Sequence, residues 1–456
     1  MAQPKQPDSQ SVRPSIPSRF RIFGPLAHLA AIGKFGQALG RGGPPIAIDL
    51  GSRAIKLLQV QLGDKGRASV GQVPTVLGAA SYPVPAEFLG DAVKRLDWQL
   101  ENLPRLIKAS GMQSKRAVCA LPTSHMYLKH VQLPPGVDAL LREFAASAVA
   151  GDLNCDPASL LVRHVAVPSA ACPVAGKTEV IAMAVGRGLV SRMMDAIRAA
   201  KLDPVAIHPE PLATLRGFDH ISRRAEDGEL TCVYLDIGYG STRVLIAHGA
   251  DLVFAKTIAI GGRLLDSLVA KQSKCSPADA YAKRIAGSER LSATGPRADA
   301  DADAAPVKTG IAAIDALVAA EAKAALSSAS VVAIDNDRRL NNLPKGYAPI
   351  AGAPLAADEM VDAVDDLAGE VAMCLRYYQQ LFPGKKIGRC VFVGGEASQT
   401  ALCQHIARVL RIPAHVADPL ARVARPSGLS CPSVDLALPQ PGWAVCLGLS
   451  LGPTDL

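Results

Sequence analysis

The sequence predicts an α/β fold built of two related lobes, and three observations predict it. Apolar strand patterns alternate with helical patterns along most of the chain. A strand–turn–strand unit, Ile48-Asp49-Leu50-Gly51-Ser52, returns as Leu235-Asp236-Ile237-Gly238-Tyr239-Gly240-Ser241, with Asp236 placed 187 residues after Asp49. A third unit, Val391-Phe392-Val393-Gly394-Gly395-Glu396-Ala397-Ser398, runs an apolar strand through two glycines into a helix.

The first lobe is expected over residues 45–228. Ile46–Leu50 and Ile55–Leu62 read as the arms of a hairpin. Lys115–Leu121 and Tyr127–Leu133 read as strands, and Val162–Val167 and Glu179–Val185 as another pair, with a small inserted subdomain over about 134–178. A helix is expected over 187–202, ending near Leu202-Asp203-Pro204.

The second lobe is expected over 229–456. Thr231–Ile237 and Thr242–Ala247 form its hairpin, Asp251–Ile260 is a strand, and 261–290 is helical. Residues 292–357 are rich in Ala, Asp and Pro and read as a low-complexity insertion with one Ala-rich helix near 311–327. Asp358–Phe382 is a long helix, Arg389–Val393 a strand, Ser398–Leu410 a helix, and Trp443–Leu449 the closing element.

Composition excludes several function classes. Hydrophobic residues make up 49% and charged residues 20% of the 456, enough to bury a core in each lobe. The net charge is +8, but residues 1–43 carry +5 of it, from Lys5, Arg13, Arg19, Arg21, Lys34 and Arg41 against Asp8. The basic balance therefore belongs mainly to an N-terminal extension, residues 1–44. With aromatics at only 4%, no nucleic-acid partner is expected. Residues 1–18 read as disordered, while 20–40 are open to two readings, a basic amphipathic helix or a disordered tail. No apolar run approaches the ~18 residues of a membrane span. The ten cysteines lack any CxxC spacing and read as reduced core residues of a cytoplasmic protein.

The chemistry of the repeat explains its residue types. A triphosphate needs backbone N–H groups at close range, and glycine lets the chain approach that nearly. The adjacent Ser52 or Ser241 can donate a hydroxyl to phosphate. Asp49 and Asp236, each at a strand end, can hold Mg²⁺ through water. Asp-x-Gly alone also makes an ordinary tight turn, so the second copy carries the weight. At the third unit, Gly394 and Gly395 leave room for a flat nucleoside.

In these units and their order the chain resembles the actin/Hsp70/FtsA ATPase superfamily: two phosphate hairpins, then an adenosine element. The resemblance implies ATP and Mg²⁺ as ligands. It implies phosphate contacts from Gly51, Ser52, Lys56, Gly238, Gly240 and Ser241, nucleoside contacts from Lys283, Gly394, Gly395 and Glu396, and metal ligation by Asp49 and Asp236. Glu210, in Glu210-Pro211-Leu212-Ala213, matches the residue that orients the hydrolytic water on the first connecting helix. Within the superfamily the sequence is most similar to the PilM family of type IV pilus assembly. The similar stretches are Ile46–Val60, Arg116–Leu133, Glu179–Phe218, Val233–Leu268, Glu370–Leu410 and Trp443–Leu449, about half of the chain. They include Ala120-Leu121-Pro122-Thr123-Ser124, Ala199-Ala200-Lys201-Leu202-Asp203-Pro204-Val205 and Ile260-Gly261-Gly262-Arg263.

The resemblance implies an FtsA-like variant of the fold with a small subdomain inserted in lobe 1, at most slow ATP hydrolysis, and a place at the inner membrane's cytoplasmic face. The implied partner is the cytoplasmic N-terminal tail of a single-span inner-membrane pilus-assembly protein. Pilus motor ATPases and self-association are further contacts it would allow. The chain departs from the family at Ala150-Gly151-Asp152-Leu153-Asn154-Cys155, where partner contacts are expected, and at Ala280, where the family carries an acid near the nucleoside. Two other functions fit the fold: an FtsA-like cell-division protein and a small-molecule kinase.

Four further patterns read as structural. Ala171-Cys172-Pro173-Val174-Ala175-Gly176-Lys177-Thr178 fits a relaxed P-loop spelling but precedes a strand, so it reads as a hairpin turn. Asp299, Asp301 and Asp303 alternate like a Ca²⁺ loop but lack its Gly and terminal Glu. His405 and His415 read as packing or surface residues, and Tyr377 and Tyr378 as core.

Overall fold

The computed structural model describes residues 43–62, 73–133, 141–167, 178–218, 230–293, 358–426, 429 and 431–454. The basic extension up to residue 42, the P-loop-like turn over 171–177, and residues 294–357 of the insertion, with their expected helix and acidic alternation, lie outside the described residues.

Two five-stranded sheets carry the same pattern. In the first, β1 (Ile46–Leu50), β2 (Ala54–Gln61), β3 (Thr75–Pro83), β4 (Arg116–Leu121) and β8 (Asp203–Pro209) stand in the order β3-β2-β1-β4-β8. In the second, β9 (Thr231–Ile237), β10 (Thr242–His248), β11 (Asp251–Ile258), β12 (Ile387–Val393) and β13 (Ala414–Val416) stand in the order β11-β10-β9-β12-β13. In each sheet the first two pairings are antiparallel and the last two parallel. The sequence repeat is thus a repeat of whole sheets.

β1 is buried at every position, which covering on both faces requires. Its side chains alternate. Ile46 and Ile48 join the large core with Leu96, Leu103 and Ile107 of helix α1 (Ala92–Ser110), whereas Ala47 packs on the opposite face with Val445, Leu447 and Leu449. Asp91 caps α1 by accepting from the Val93 and Lys94 N–H groups, and Gly111 ends it at φ +70°. A third, antiparallel sheet interrupts lobe 1 between β4 and β8. It consists of β5 (Tyr127–Leu133), β6 (Leu160–Ala166) and β7 (Thr178–Gly186), in the order β5-β7-β6, and helix α2 (Leu141–Leu153) packs on it through Ala145 and Val149. It takes in strands on both sides of the 134–178 range read from the sequence.

Helix α3 (Arg187–Ala199) ends three residues before the expected boundary, and β8 follows at once. Pro204 and Pro209 hide this strand in the sequence, but an edge strand tolerates proline. The helical stretch after β11 is two helices, α5 (Gly262–Ser273) and α6 (Pro277–Ala293). Lys274 turns left-handed at φ 50° and Pro277 starts the second helix. Helices α7 (Asp358–Leu381) and α8 (Thr400–Leu410) flank β12, with Tyr378 fully buried and Tyr377 packed against the same core. His405 pairs with Asp365 at 2.6 Å. Burial and then Arg389 hold the His415 pKa below its ordinary value.

Two short helices join the lobes. α4 (Glu210–Arg216) leaves β8, and α9 (Ala444–Ser450) returns from the second lobe to pack against it. A Cβ at Gly448 would stand 1.7 Å from the Ala213 carbonyl oxygen, so the two backbones touch there.

Candidate functional site

Each lobe presents its hairpin to the cleft, and strand register places one cation opposite one carboxylate in both. Asp49 pairs with Lys56 across β1 and β2; Asp236 pairs with Arg243 across β9 and β10. The spacing of seven residues is the same in the two lobes. The turns face each other and touch: the Gly240 N–H donates to Ser52 Oγ at 2.9 Å. Gln99 holds the first turn by donating to the Gly51 carbonyl oxygen at 2.8 Å, and the Gly238 N–H closes the second on the Ser241 carbonyl oxygen at 3.0 Å.

The cleft between the turns has an open volume of about 1210 Å³. Asp49, Gly51, Ser52, Lys56, Glu210, Asp236, Gly238, Ser241, Gly394, Gly395 and Glu396 all line it, so residues far apart in the chain meet there. Gly240 lines an adjoining space that Ser52, Ser241 and Arg243 also line. Lys283 does not line the cleft and is exposed. Ala280 and Arg284 are buried on α6, whereas Lys283 at the edge of that face is exposed.

The carboxylates are already engaged. Asp236 Oδ2 accepts from Arg243 Nη2 at 2.5 Å, from Arg243 Nε at 3.1 Å and from Thr214 Oγ1 at 3.3 Å. Glu210 Oε2 accepts from Arg243 Nη1 at 2.9 Å, from the Thr123 N–H at 2.7 Å and from Thr123 Oγ1 at 2.6 Å. Thr123 belongs to the Leu121-Pro122-Thr123 motif, which thereby acquires a physical role. Burial works against the charged guanidinium of Arg243, but Asp236 and then Glu210 outweigh it and raise its pKa.

Asp49 differs. Its Oδ2 lies 4.0 Å from Lys56 Nζ, and its buried Oδ1 has no hydrogen-bond partner among the described residues. Burial pushes the carboxyl up from 3.8 to about 6, against the pull of Lys56 and with Glu210 adding to the rise. Lys56 Nζ also donates to the Gly442 carbonyl oxygen, which ties the first hairpin to the segment before α9.

The third unit closes the cleft from the second lobe. Gly394 has φ +94°, and a Cβ there would stand 2.3 Å from the Ile237 carbonyl oxygen. Glu396 is 4% exposed and takes Arg284 Nη1 at 2.7 Å, while Arg284 Nε reaches Asp266 at 2.7 Å. Glu396 is thus tied into a buried ion-pair chain. Gly262 allows that approach, since a Cβ there would collide with the Glu396 carboxylate. At this end Arg53 lays its guanidinium 3.5 Å from the Tyr281 ring centroid and 4.7 Å from that of Tyr239, and all three line the cleft.

Arg243, Arg53, Tyr239 and Tyr281 are not among the site residues read from the sequence, although Tyr239 lies inside the second copy of the repeat. Arg243 had a signal, the spacing that Lys56 shares. Arg53 and Tyr281 had none, because their stacking joins a turn of lobe 1 to a helix of lobe 2.

The residues present suit a polyphosphate better than a magnesium ion. Lys56 and Arg243 offer two cations beside two glycine-containing turns, and Tyr281 with Arg53 offers a stacking surface. For Mg²⁺ the pair of carboxylates does not fit as expected: a guanidinium already occupies Asp236 Oδ2 and Glu210 Oε2, and of the two expected ligands only Asp49 keeps a buried oxygen without a partner among the described residues. Among the described residues no group of three or more His, Cys, Asp or Glu is placed to hold a metal ion.

A family model described as "Type IV pilus assembly protein PilM" matches residues 47–290, more than half of the chain. Among solved structures, a PilM-PilN type IV pilus biogenesis complex aligns at TM-score 0.61 and 17% identity, over 90% of this chain and 98% of that one. The ethanolamine utilization protein EutJ from Carboxydothermus hydrogenoformans aligns at TM-score 0.40 and 14% identity, over 89% of each chain. The Acidaminococcus fermentans (R)-2-hydroxyglutaryl-CoA dehydratase component A aligns at TM-score 0.37 and 12% identity, over 90% of this chain and 96% of that one. No curated protein matches the chain in sequence. At such identities the structural likeness shows the fold, a two-lobed actin-like arrangement. The matched span contains both hairpins, Glu210 and Arg243, and on that match the chain belongs to the family of the type IV pilus assembly protein PilM.

Proposed function

We propose that this chain is a nucleotide-binding, actin-like component of type IV pilus assembly, with ATP held between the two hairpins. The observation that carries this reading is the meeting of the two turns, with Lys56 and Arg243 beside them and the Gly240 N–H on Ser52 Oγ. A triphosphate entering there would replace that turn-to-turn hydrogen bond with bonds to its own oxygens. The angle between the lobes would then follow the ligand. The α4–α9 contact beneath the cleft is a fitting pivot, because backbone touches backbone there.

Glu210 is a poor water-orienting residue in this arrangement. Its Oε2 already accepts three hydrogen bonds, two of them from Thr123. Hydrolysis is therefore at most slow, and the role is that of a switchable adaptor. The similar solved structure is a PilM-PilN complex, and we carry that association over. The partner of this chain is the cytoplasmic N-terminal tail of a single-span inner-membrane protein. We read the third sheet as the FtsA-like inserted subdomain. The +5 charge on residues 1–43 would draw the protein to an anionic bilayer. Truncating that extension should lower co-sedimentation with anionic vesicles at low salt and not at high salt; equal sedimentation would assign recruitment to the protein partner.

Calorimetry with ATP tests the site. Lys56→Ala should weaken binding by at least about tenfold, the scale of one hydrogen bond to a charged group. Equal affinity in the two proteins would remove the nucleotide from this cleft.

A further inference from the structure

We propose that Arg243 takes the place of a divalent cation in this cleft, so that the chain binds a nucleoside triphosphate without a metal ion. The inference rests on the nucleotide reading above and settles how its charge is balanced.

The pleat of β10 aims the side chain. Arg243 lies between Thr242 and Val244, which are both fully buried, and Thr242 Oγ1 donates to the Ile260 carbonyl oxygen at 2.8 Å. Alternation along β10 therefore sends the Arg243 side chain to the opposite face of the sheet. Register then puts it across from Asp236. The guanidinium spans two carboxylates from different elements: Nε and Nη2 on Asp236 from β9, and Nη1 on Glu210 from α4. A bridge between two carboxylates is what a hydrated Mg²⁺ would make.

Magnesium demands octahedral oxygen geometry and gives up its waters reluctantly. To reach Asp236 Oδ2 it would have to displace a nitrogen that stands 2.5 Å away, and any approach to the carboxylate meets the repulsion of a permanent positive charge. The guanidinium cannot escape by losing its proton. Asp49 is held more loosely: Lys56 stands across from it at 4.0 Å and supplies its nearest positive charge. Each hairpin thus carries its own counter-cation. Arg243 lines both the cleft and the adjoining space, so its unused N–H groups can meet phosphate oxygens.

The experiment uses the full-length protein. ATP binding is measured by calorimetry in Mg²⁺ and in EDTA, and Mn²⁺ alone is titrated and followed by electron paramagnetic resonance. The wild type should bind ATP within about twofold in the two buffers and retain no Mn²⁺, whereas Arg243→Thr should bind at least about tenfold tighter with Mg²⁺, the size of an ordinary coupling between two ligands. Arg243→Lys, which keeps the charge, should remain indifferent to EDTA. Both wild-type arms stand even if a variant fails to fold. ATP uptake that EDTA abolishes, or stoichiometric Mn²⁺ on the wild type, overturns this proposal alone. No ATP uptake in either buffer overturns the nucleotide reading and this proposal with it.

Discussion

Arg243 stands opposite Asp236 across the second hairpin as Lys56 stands opposite Asp49 across the first, but Arg243 closes on its partner at 2.5 Å while Lys56 stays 4.0 Å away. The same register therefore gives one tight, bridged pair and one loose pair. The difference follows from α4, whose Glu210 reaches Arg243 as a second acceptor and pins the fork.

Removing the cation from the tight pair should be costly. Arg243→Ala leaves Asp236 and Glu210 facing each other without a counter-charge, and breaking such a buried pair costs about 3–5 kcal/mol. The double variant Arg243→Met/Asp236→Asn removes charge from both sides and should lose less than the single one. Urea unfolding of the three proteins checks the order. A single variant that is no less stable than the double would show that the bridge does not hold the lobes.

Asp49 predicts a pH dependence of opposite kind. Its folded pKa of about 6 lies above its ordinary 3.8, so the folded state holds the proton more tightly. Stability from this group is then lost as pH rises from about 4 through about 6, and the full cost is present above that. Asp49→Asn should be more stable than wild type at pH 8, by a few kcal/mol at most, since each tenfold change in proton affinity is worth ~1.4 kcal/mol. The advantage should vanish below pH 4. Melting curves at pH 8 and at acid pH measure it; an Asn variant weaker at pH 8 would mean that Lys56 outweighs burial.

The α4–α9 contact should not admit a methyl group. Gly448→Ala sets a Cβ 1.7 Å from the Ala213 carbonyl oxygen, so it should lose at least the ~1–3 kcal/mol of ordinary overpacking. Gly369→Ala is the matched control. It lies exposed in the middle of α7 with nothing within 4 Å of the new Cβ, and it should stabilise by roughly 0.5–1 kcal/mol through helix propensity. Thermal melts in which both substitutions act alike would remove the packing argument.

The long insertion should be dispensable for folding. Helix α6 ends at Ala293 and α7 begins at Asp358, and both join the core of lobe 2 without the residues between. Replacing 294–357 by a short flexible linker should preserve a single cooperative melt. Loss of the transition would show that the segment contributes to the core.

The sequence by itself determined the two hairpins, because each is a local unit whose strands and turn lie within one short stretch, Ile46–Gln61 and Thr231–His248. Their apolar alternation, their Asp-x-Gly turns and their recurrence were all visible there, and with them the two-lobed fold. It also carried the paired spacing of Asp49 with Lys56 and of Asp236 with Arg243, since antiparallel register is local to a hairpin. Only the tertiary structure decided what those side chains do. Glu210 arrives at Arg243 from a helix, and Arg53 meets Tyr281 from the other lobe. On α6, Ala280 and Arg284 are buried and Lys283 is exposed, and the packing of the helix decides which. A carboxylate near a cleft can serve a metal or a guanidinium. Which of the two it meets depends on packing between elements distant in the chain, and no spacing along the chain encodes that distance.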